Sequence, residues 1–116
     1  GTGKENNAIS VNEAVDIAEK MPDFFNGNYL EYLQKNIKYP VKAVESEIQG
    51  TVYVIFVVNN DGSVGEVKLL RGIGFGCDEE ALRVIANMPV WNPSMQGGRP
   101  VWVRMTVPVK FKLENR

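Results

Sequence analysis

Histidine is absent from the chain, and Cys77 is its only cysteine. The first absence excludes Ser-His and Cys-His catalysis and histidine-ligated metal sites, and the second excludes an internal disulfide. The longest apolar run, residues 52–58, is far shorter than the roughly 20 residues that a membrane helix needs. A net charge of -1 without a basic run gives no support for nucleic-acid binding. Length and composition therefore predict one globular domain with a single core.

The stretch LLRGIGFGCDEEALRVI, residues 69–85, predicts a strand end, a glycine loop and the start of a helix. A dinucleotide-binding turn would need its third glycine where Cys77 stands, and three acidic residues, Asp78, Glu79 and Glu80, would repel a phosphate at the helix N-terminus. Carboxylates at that position favour the positive end of the helix dipole instead. We therefore interpret the stretch as a crossover into a helix and not as a nucleotide site.

Three apolar runs predict strands. The first two, residues 51–58 and 64–71, are joined by NNDG, whose residue types accept the left-handed backbone angles of a hairpin turn. The first of these is apolar on both faces, as expected of a central strand. The third run, residues 101–113, alternates apolar and polar residues throughout. Pro108 within it cannot donate to a ladder, so we expect the last strand at a sheet edge.

Apolar spacing predicts helices over residues 29–37, 41–48 and 77–88, with Pro40 and Pro89 as stops, and residues 90–100 are rich in turn formers. A right-handed crossover then places the first strand of the hairpin between the other two. We predict an α+β fold with a three-stranded, mostly antiparallel sheet, order 2-1-3, and helices packed on one face. Residues 1–20 are expected to form a loosely attached arm or linker end, followed by a domain over residues 21–116.

Residue types that carry chemistry are few. Cys77 has acidic neighbours that oppose thiolate formation, and we expect it to be a small buried or half-buried residue. The three successive carboxylates after it point in different directions around a helix and cannot form an opposed acid-base pair. NNDG has too few oxygen ligands for a calcium loop. The sequence therefore predicts no catalytic, metal or cofactor site, and we expect no enzyme.

The two tryptophans are the remaining large features. We expect Trp91 to fill the core at the base of the crossover. Trp102 lies, by the alternation of the last strand, on its polar face near Arg104. Two interpretations of this pair remain open, namely cross-strand packing and a partner-binding surface.

Several segments of the chain form a recognisable set: YP at 39–40, QGTVYVIFVV at 49–58, NNDG at 59–62, CDEEALRVI at 77–85, WNP at 91–93 and VPVKF at 107–111. Together they resemble the C-terminal domain of the TonB family of Gram-negative energy transducers. The upstream stretch MPDFFNGNYLEYLQKNIKYP is similar to the lead-in of Bacteroidetes members, with Phe25, Asn26 and Gly27 where those usually have a proline and paired glycines.

This resemblance implies a periplasmic domain of a longer protein, anchored to the inner membrane by an N-terminal helix. It implies two partners: outer-membrane transporters, bound through their TonB box, and an ExbB/ExbD-type complex that supplies force from the proton gradient. An edge strand suits such binding, because an extended peptide can add to it by main-chain hydrogen bonds. We expect the docking residues on the last strand to be Trp102, Val103, Arg104, Met105, Thr106, Val107, Val109 and Lys110.

Other functions stay open at this point. A self-associating module would use the same edge to form a homodimer. An interaction or sensor module would belong to a membrane peptidase or another envelope protein, since modules of that kind are similar to this domain.

Overall fold

The structure is a computed structural model that describes residues 9–24 and 28–113. The departure from the Bacteroidetes lead-in at residues 25–27 lies outside the described residues. The elements, in chain order, are β1 Asp23–Phe24, α1 Tyr29–Asn36, α2 Val41–Glu45, β2 Gly50–Val58, β3 Val64–Arg71, α3 Cys77–Ala86, β4 Trp91–Asn92, β5 Ser94–Gln96, β6 Arg99–Val101 and β7 Val103–Phe111.

The central sheet has the strand order β3-β2-β7 and is antiparallel, which confirms the predicted 2-1-3 arrangement. Strands β2 and β7 pair without a register shift, from Gly50 opposite Phe111 to Val58 opposite Val103. The strand that contains Pro108 is an outer strand of this sheet, as the proline predicts.

One face of the sheet carries the main core. Because side chains alternate along a strand, the paired positions of β2 and β7 point to the same side. The buried residues on this side are Val52, Val54, Phe56, Val107, Val109 and Phe111, and α3 covers them with Cys77, Ala81, Val84 and Ile85. The helices therefore pack on one face of the sheet, as predicted.

The NNDG turn closes the β2–β3 hairpin with its own side chains. The Asp61 carboxylate accepts hydrogen bonds from the Ser63 backbone N–H at 2.9 Å and from the Ser63 hydroxyl at 2.6 Å. These bonds hold the pKa of Asp61 below its usual value. Gly62 has a positive φ of 89°, and its carbonyl accepts from the Trp91 N–H at 2.8 Å. The turn is thus tied to the segment that follows α3.

The glycine loop before α3 is organised by a single carboxylate. Asp78 accepts hydrogen bonds from the backbone N–H of Ile73 at 2.8 Å and of Gly74 at 3.2 Å. Gly76 at the N-cap is left-handed, with φ 85°. The loop amides that a phosphate would need are therefore bonded to the protein's own aspartate, in keeping with a crossover into a helix.

We expect the replacement Asp78→Ala to lower the free energy of unfolding by about 1–3 kcal/mol, because two loop amides lose their acceptor. Urea unfolding followed by circular dichroism measures this loss. Glu79→Ala is the matched control. Glu79 is exposed, and its replacement removes the same charge without breaking a loop hydrogen bond. Equal losses of unfolding free energy in the two variants would show that these carboxylates stabilise the domain through the helix dipole and not through the loop hydrogen bonds.

Two short antiparallel pairs lie outside the central sheet and were not predicted. Strand β1 pairs with β4, which places Phe24 opposite Trp91. Strands β5 and β6 form a hairpin closed by Gly97 and Gly98, both with positive φ. The helix α2 also ends earlier than predicted, at Glu45, because Glu47 adopts a φ of 54° and turns the chain towards β2.

Candidate docking edge

The outer side of β7 is the side that faces away from β2. The backbone N–H of Arg104 donates to the Val15 carbonyl at 2.8 Å, so Arg104 directs its backbone groups outward. Backbone groups alternate in direction along a strand, and therefore those of Thr106, Pro108 and Lys110 point outward as well. The backbone groups of residue 108 point away from β2, so no carbonyl of β2 requires a hydrogen bond from Pro108. The sheet thus accommodates a proline inside β7 without losing a β2–β7 hydrogen bond.

The start of this outer edge is covered by residues 9–20, which we call the arm. Val15 forms a parallel bridge with Val103, and the arm continues to an antiparallel bridge between Lys20 and Met95. The Lys20 N–H donates to the Met95 carbonyl at 3.0 Å, and the Met95 N–H donates back at 2.9 Å. The arm therefore spans from β7 to the β5–β6 hairpin.

A second, smaller core lies under the arm, on the sheet face opposite the helices. Val11 and Ala14 are buried there against Val57 of β2, and Trp102 and Ile55 pack at the side. The described part of residues 1–20, which we expected to form a loosely attached arm or linker end, contacts the sheet through these residues. The arm is held because β2 is apolar on both faces, and its second face needs a cover.

Arg104 connects β7 to the arm by an ion pair and a hydrogen bond. Its Nε donates to the Asp16 carboxylate at 2.7 Å, and its Nη1 donates to the Val11 carbonyl at 2.7 Å. The hydrogen bond from Arg104 holds the pKa of Asp16 below its usual value. Of the two interpretations of Trp102 and Arg104, intramolecular packing is the one for which the structure supplies contacts.

The remaining part of the outer edge, residues 105–111, is open in the described part of the chain. A groove of about 150 Å³ runs beside it, between α1 and β7. The groove is lined by Leu30, Leu33, Gln34, Ile37, Pro108, Val109 and Lys110. Strand edge and groove together form what we call the docking edge.

The structure divides the eight predicted docking residues into two sets. Val103, Val107 and Val109 are buried and Met105 is half-buried, with side chains on the core face. The even-numbered residues have outward backbone groups and side chains on the other face, and they are Trp102, Arg104, Thr106 and Lys110. Of the second set, Thr106 and Lys110 present backbone groups that an added strand can reach, because those of Trp102 and Arg104 already bond to Val15.

The residues of α1 that line the groove were not among the predicted docking residues. Leu30 shows the signal that could have identified them, because it belongs to the apolar stripe of α1 but is 46% exposed. A helix stripe wider than its core contact leaves an apolar strip beside the neighbouring strand. Pro108, which lacks an N–H, still has an outward carbonyl that can accept a hydrogen bond, and the predicted docking residues did not include it.

The described residues offer little reactive chemistry. Cys77 is fully buried, and its burial together with the charges of Asp78 and Glu79 raises the pKa of the thiol. No three His, Cys, Asp or Glu side chains converge as metal ligands within residues 9–24 and 28–113. In the same residues, no helix has the length and apolar composition needed to cross a membrane.

An outer strand with outward backbone groups beside an apolar groove is typical of domains that bind extended peptides by strand addition. The model of the family described as Gram-negative bacterial TonB protein C-terminal matches residues 35–113. The chain belongs to this TonB C-terminal family, as its sequence motifs predict.

Relatives and solved structures agree with this assignment. Protein TonB of Neisseria meningitidis serogroup C and that of serogroup B are each 35% identical over 75 residues, which is 65% of this chain. The match spans only 25% of the length of either relative.

The NMR structure of the Pseudomonas aeruginosa TonB C-terminal domain is 28% identical, with a TM-score of 0.56, and the match covers 69% of this chain and 81% of that one. The Helicobacter pylori TonB C-terminal domain shares the fold at 23% identity, with a TM-score of 0.58, and the match covers 76% of this chain and 92% of that one.

Proposed function

We propose that this chain is the periplasmic domain of a TonB-type energy transducer and that it binds the TonB box of outer-membrane transporters by strand addition to β7. The observation that carries the proposal is the outward direction of the backbone groups of Thr106, Pro108 and Lys110. Within the described residues these groups have no hydrogen-bond partner. An extended peptide would satisfy them, and membership of the TonB family supports a transporter as the source of that peptide.

The same geometry suits the transmission of force. Hydrogen bonds between two strands that are pulled along their length are loaded together, while each contributes only about 0.5–1.5 kcal/mol. The paired strands therefore resist a force along their length, and the complex can still dissociate. We place the membrane anchor and the ExbB/ExbD-type partner N-terminal to this domain in the longer protein. The domain itself acts as a binding module without catalysis.

The test is an amide-shift titration of the isotope-labelled chain with a synthetic peptide that copies a transporter's TonB box. We expect shifts concentrated in residues 105–111, and weaker binding by a peptide with a proline at its centre. Shifts confined to β3, or no shifts at millimolar peptide, would contradict docking on β7.

A substitution at Thr106 tests the backbone contribution directly. Thr106→Pro removes an outward N–H, and we expect peptide binding to weaken about two- to tenfold while the β2–β7 ladder is retained. Thr106→Val is the matched control, because it changes the exposed side chain and keeps the N–H. The affinities are measured by calorimetry, and thermal unfolding verifies the fold of both variants. Equal affinities of the two variants would exclude a main-chain bond at this position.

Self-association would use the same outward groups. Sedimentation velocity over a range of concentrations, run beside the titration, distinguishes the two uses of the edge. A dimer that the peptide dissociates would identify one shared edge. A dimer unaffected by peptide, with no amide shifts on β7, would favour the self-associating module or the sensor module instead.

A further inference from the structure

The sheet face opposite the helices is only partly covered by the described residues. The arm packs on Val57 of β2, and Ile55 contacts this small core from the side. Tyr53, the next residue of β2 on the same face, is 38% exposed. The buried residues of α1, α2 and α3 belong to the main core on the other face. We call the uncovered part the open face, and it consists of Tyr53, Ile55, Lys68, Arg71, Thr106 and Lys110.

Side chains from all three strands of the sheet meet on the open face. In the β2–β3 ladder, Lys68 lies opposite Ile55. Arg71 lies opposite Tyr53 in the same ladder. Residues that are paired directly across an antiparallel ladder point to the same side of the sheet. Lys110 projects to this side from β7, on the other flank of β2. An apolar centre on β2 therefore has cationic side chains on both flanks.

The three cations of the open face are not neutralised by the part of the chain that the structure describes. Lys68, Arg71 and Lys110 are exposed, and no carboxylate of residues 9–24 or 28–113 lies within ion-pair distance of them. Glu66, the acidic residue of β3, accepts a hydrogen bond from the Val11 N–H of the arm at 2.7 Å. The open face thus has a local positive excess on a chain whose net charge is -1, and an anionic partner would be complementary to it.

The positions of the cations indicate the shape of that partner. Neighbouring strands lie about 4.8 Å apart, so the cations of β3 and that of β7 are separated by roughly 10 Å across the sheet. An α-helix with its side chains is about 10–12 Å wide. A helix that lies along β2 would place an apolar stripe on Tyr53 and Ile55 and one row of side chains beside each outer strand. The side chains of an extended segment project to each face in a single line and would not reach both flanks together.

We infer that the open face binds an amphipathic helix of a partner protein, whose apolar stripe is flanked on both sides by aspartate or glutamate. Tyr53 and Ile55 supply the apolar contact, and Lys68, Arg71 and Lys110 supply the preference for acidic flanks. This inference goes beyond the proposed function, because it uses a sheet face and requires no strand paired with β7.

The first test is an amide-shift titration of the isotope-labelled chain with two designed helical peptides. One has a leucine stripe flanked by glutamates, and the other has lysines in place of the glutamates. We expect the glutamate peptide to shift residues 53–55 and 68–71, and the lysine peptide to bind at least about tenfold more weakly at low salt, with a difference that decreases as salt is added. Equal binding of the two peptides, or no shifts on β2 and β3, would show that the open face does not select such a helix.

The second test reverses one charge of the open face. Arg71→Glu is expected to weaken binding of the glutamate peptide about two- to tenfold and to strengthen binding of the lysine peptide. Because the two effects have opposite signs, a general loss of folding cannot produce them. Lys42→Glu is the matched control, since Lys42 is exposed on α2, whose buried residue Ala43 belongs to the core of the other face. If both variants change the ratio of the two affinities equally, net charge and not the open face sets the preference, and the inference is wrong.

Vesicles test a flat anionic surface as the occupant instead. We expect no more of the chain to sediment with phosphatidylglycerol vesicles than with phosphatidylcholine vesicles. If phosphatidylglycerol vesicles bind the chain, Arg71→Glu releases it and the glutamate peptide does not compete, the open face binds a lipid surface and the inferred helix is wrong. Strand addition to β7 is tested separately by the TonB-box titration and stands or fails independently of these results.

Discussion

Replacing Trp91 with alanine is expected to lower the free energy of unfolding by about 3–5 kcal/mol. Trp91 is only 2% exposed and joins three parts of the chain. Its ring lies 5.2 Å from the Phe24 ring before α1, 5.5 Å from Tyr29 in α1 and 5.9 Å from Phe56 in β2. An alanine leaves a cavity that these separate elements cannot close together. A loss of this size is a large fraction of the stability of a domain this small.

Urea unfolding measures this loss, and two further variants identify its cause. The Trp91 Nε1–H has no hydrogen-bond partner among the described residues, so Trp91→Phe should lose volume alone and cost clearly less. Trp102→Ala removes the same side chain from a half-buried position and should also cost less. If Trp91→Ala stayed within about 1 kcal/mol of wild type, the core would not depend on this tryptophan.

Placing a carboxylate at position 11 is expected to detach the arm from the sheet. Val11 is 5% exposed and packs in the apolar cluster with Ala14 and Val57. Its N–H donates to the Glu66 carboxylate at 2.7 Å, so an aspartate there would also lie close to a like charge. The free-energy cost of burying an unpaired charge is far larger than the stabilisation that the contacts of a short surface segment provide. The chain is expected to release the arm rather than bury the charge.

Hydrogen exchange reports this release at one amide. The Arg104 N–H is bonded to the Val15 carbonyl, and we expect its exchange in Val11→Asp to accelerate at least about tenfold. Asn12→Asp is the matched control, because it changes the charge equally at an exposed neighbour. Equal exchange rates in the two variants would show that the small core does not hold the arm.

Release of the arm also has a consequence for peptide binding. The outward groups of Trp102 and Arg104, which now bond to Val15, become available to an added strand. In Val11→Asp we therefore expect the amide shifts of the peptide titration to extend to residues 102–104. A footprint that ends at residue 105 in both proteins would show that the peptide does not use the part of β7 under the arm.

The central sheet illustrates what local pattern can predict. The alternation of residues 101–113 predicted β7 and its buried face, NNDG predicted the hairpin, and Pro108 predicted an outer strand. Each of these signals is local, because side-chain direction, turn conformation and the missing proline N–H are properties of a few consecutive residues. Family membership followed from the same segments.

The arm shows what local pattern cannot predict. The arm is a short polar segment with a weak helical period in its sequence, and residues 9–20 form no helix. They are held instead by partners far away in the chain, such as Arg104 for Asp16 and Met95 for Lys20. Nothing in residues 9–20 alone indicates that the second face of β2 needs a cover at this place.

Local sequence patterns were enough to predict the α+β class, the strand order and the family, and the composition excludes histidine-based chemistry. The part of the β7 edge that is open can be seen only in the folded chain, because the arm that covers residues 102–104 and the helix that flanks residues 108–110 reach β7 from distant parts of the chain. Strand formation depends on neighbouring residues. The accessibility of a strand edge depends on what the rest of the chain packs against it, and that is a property of the whole fold.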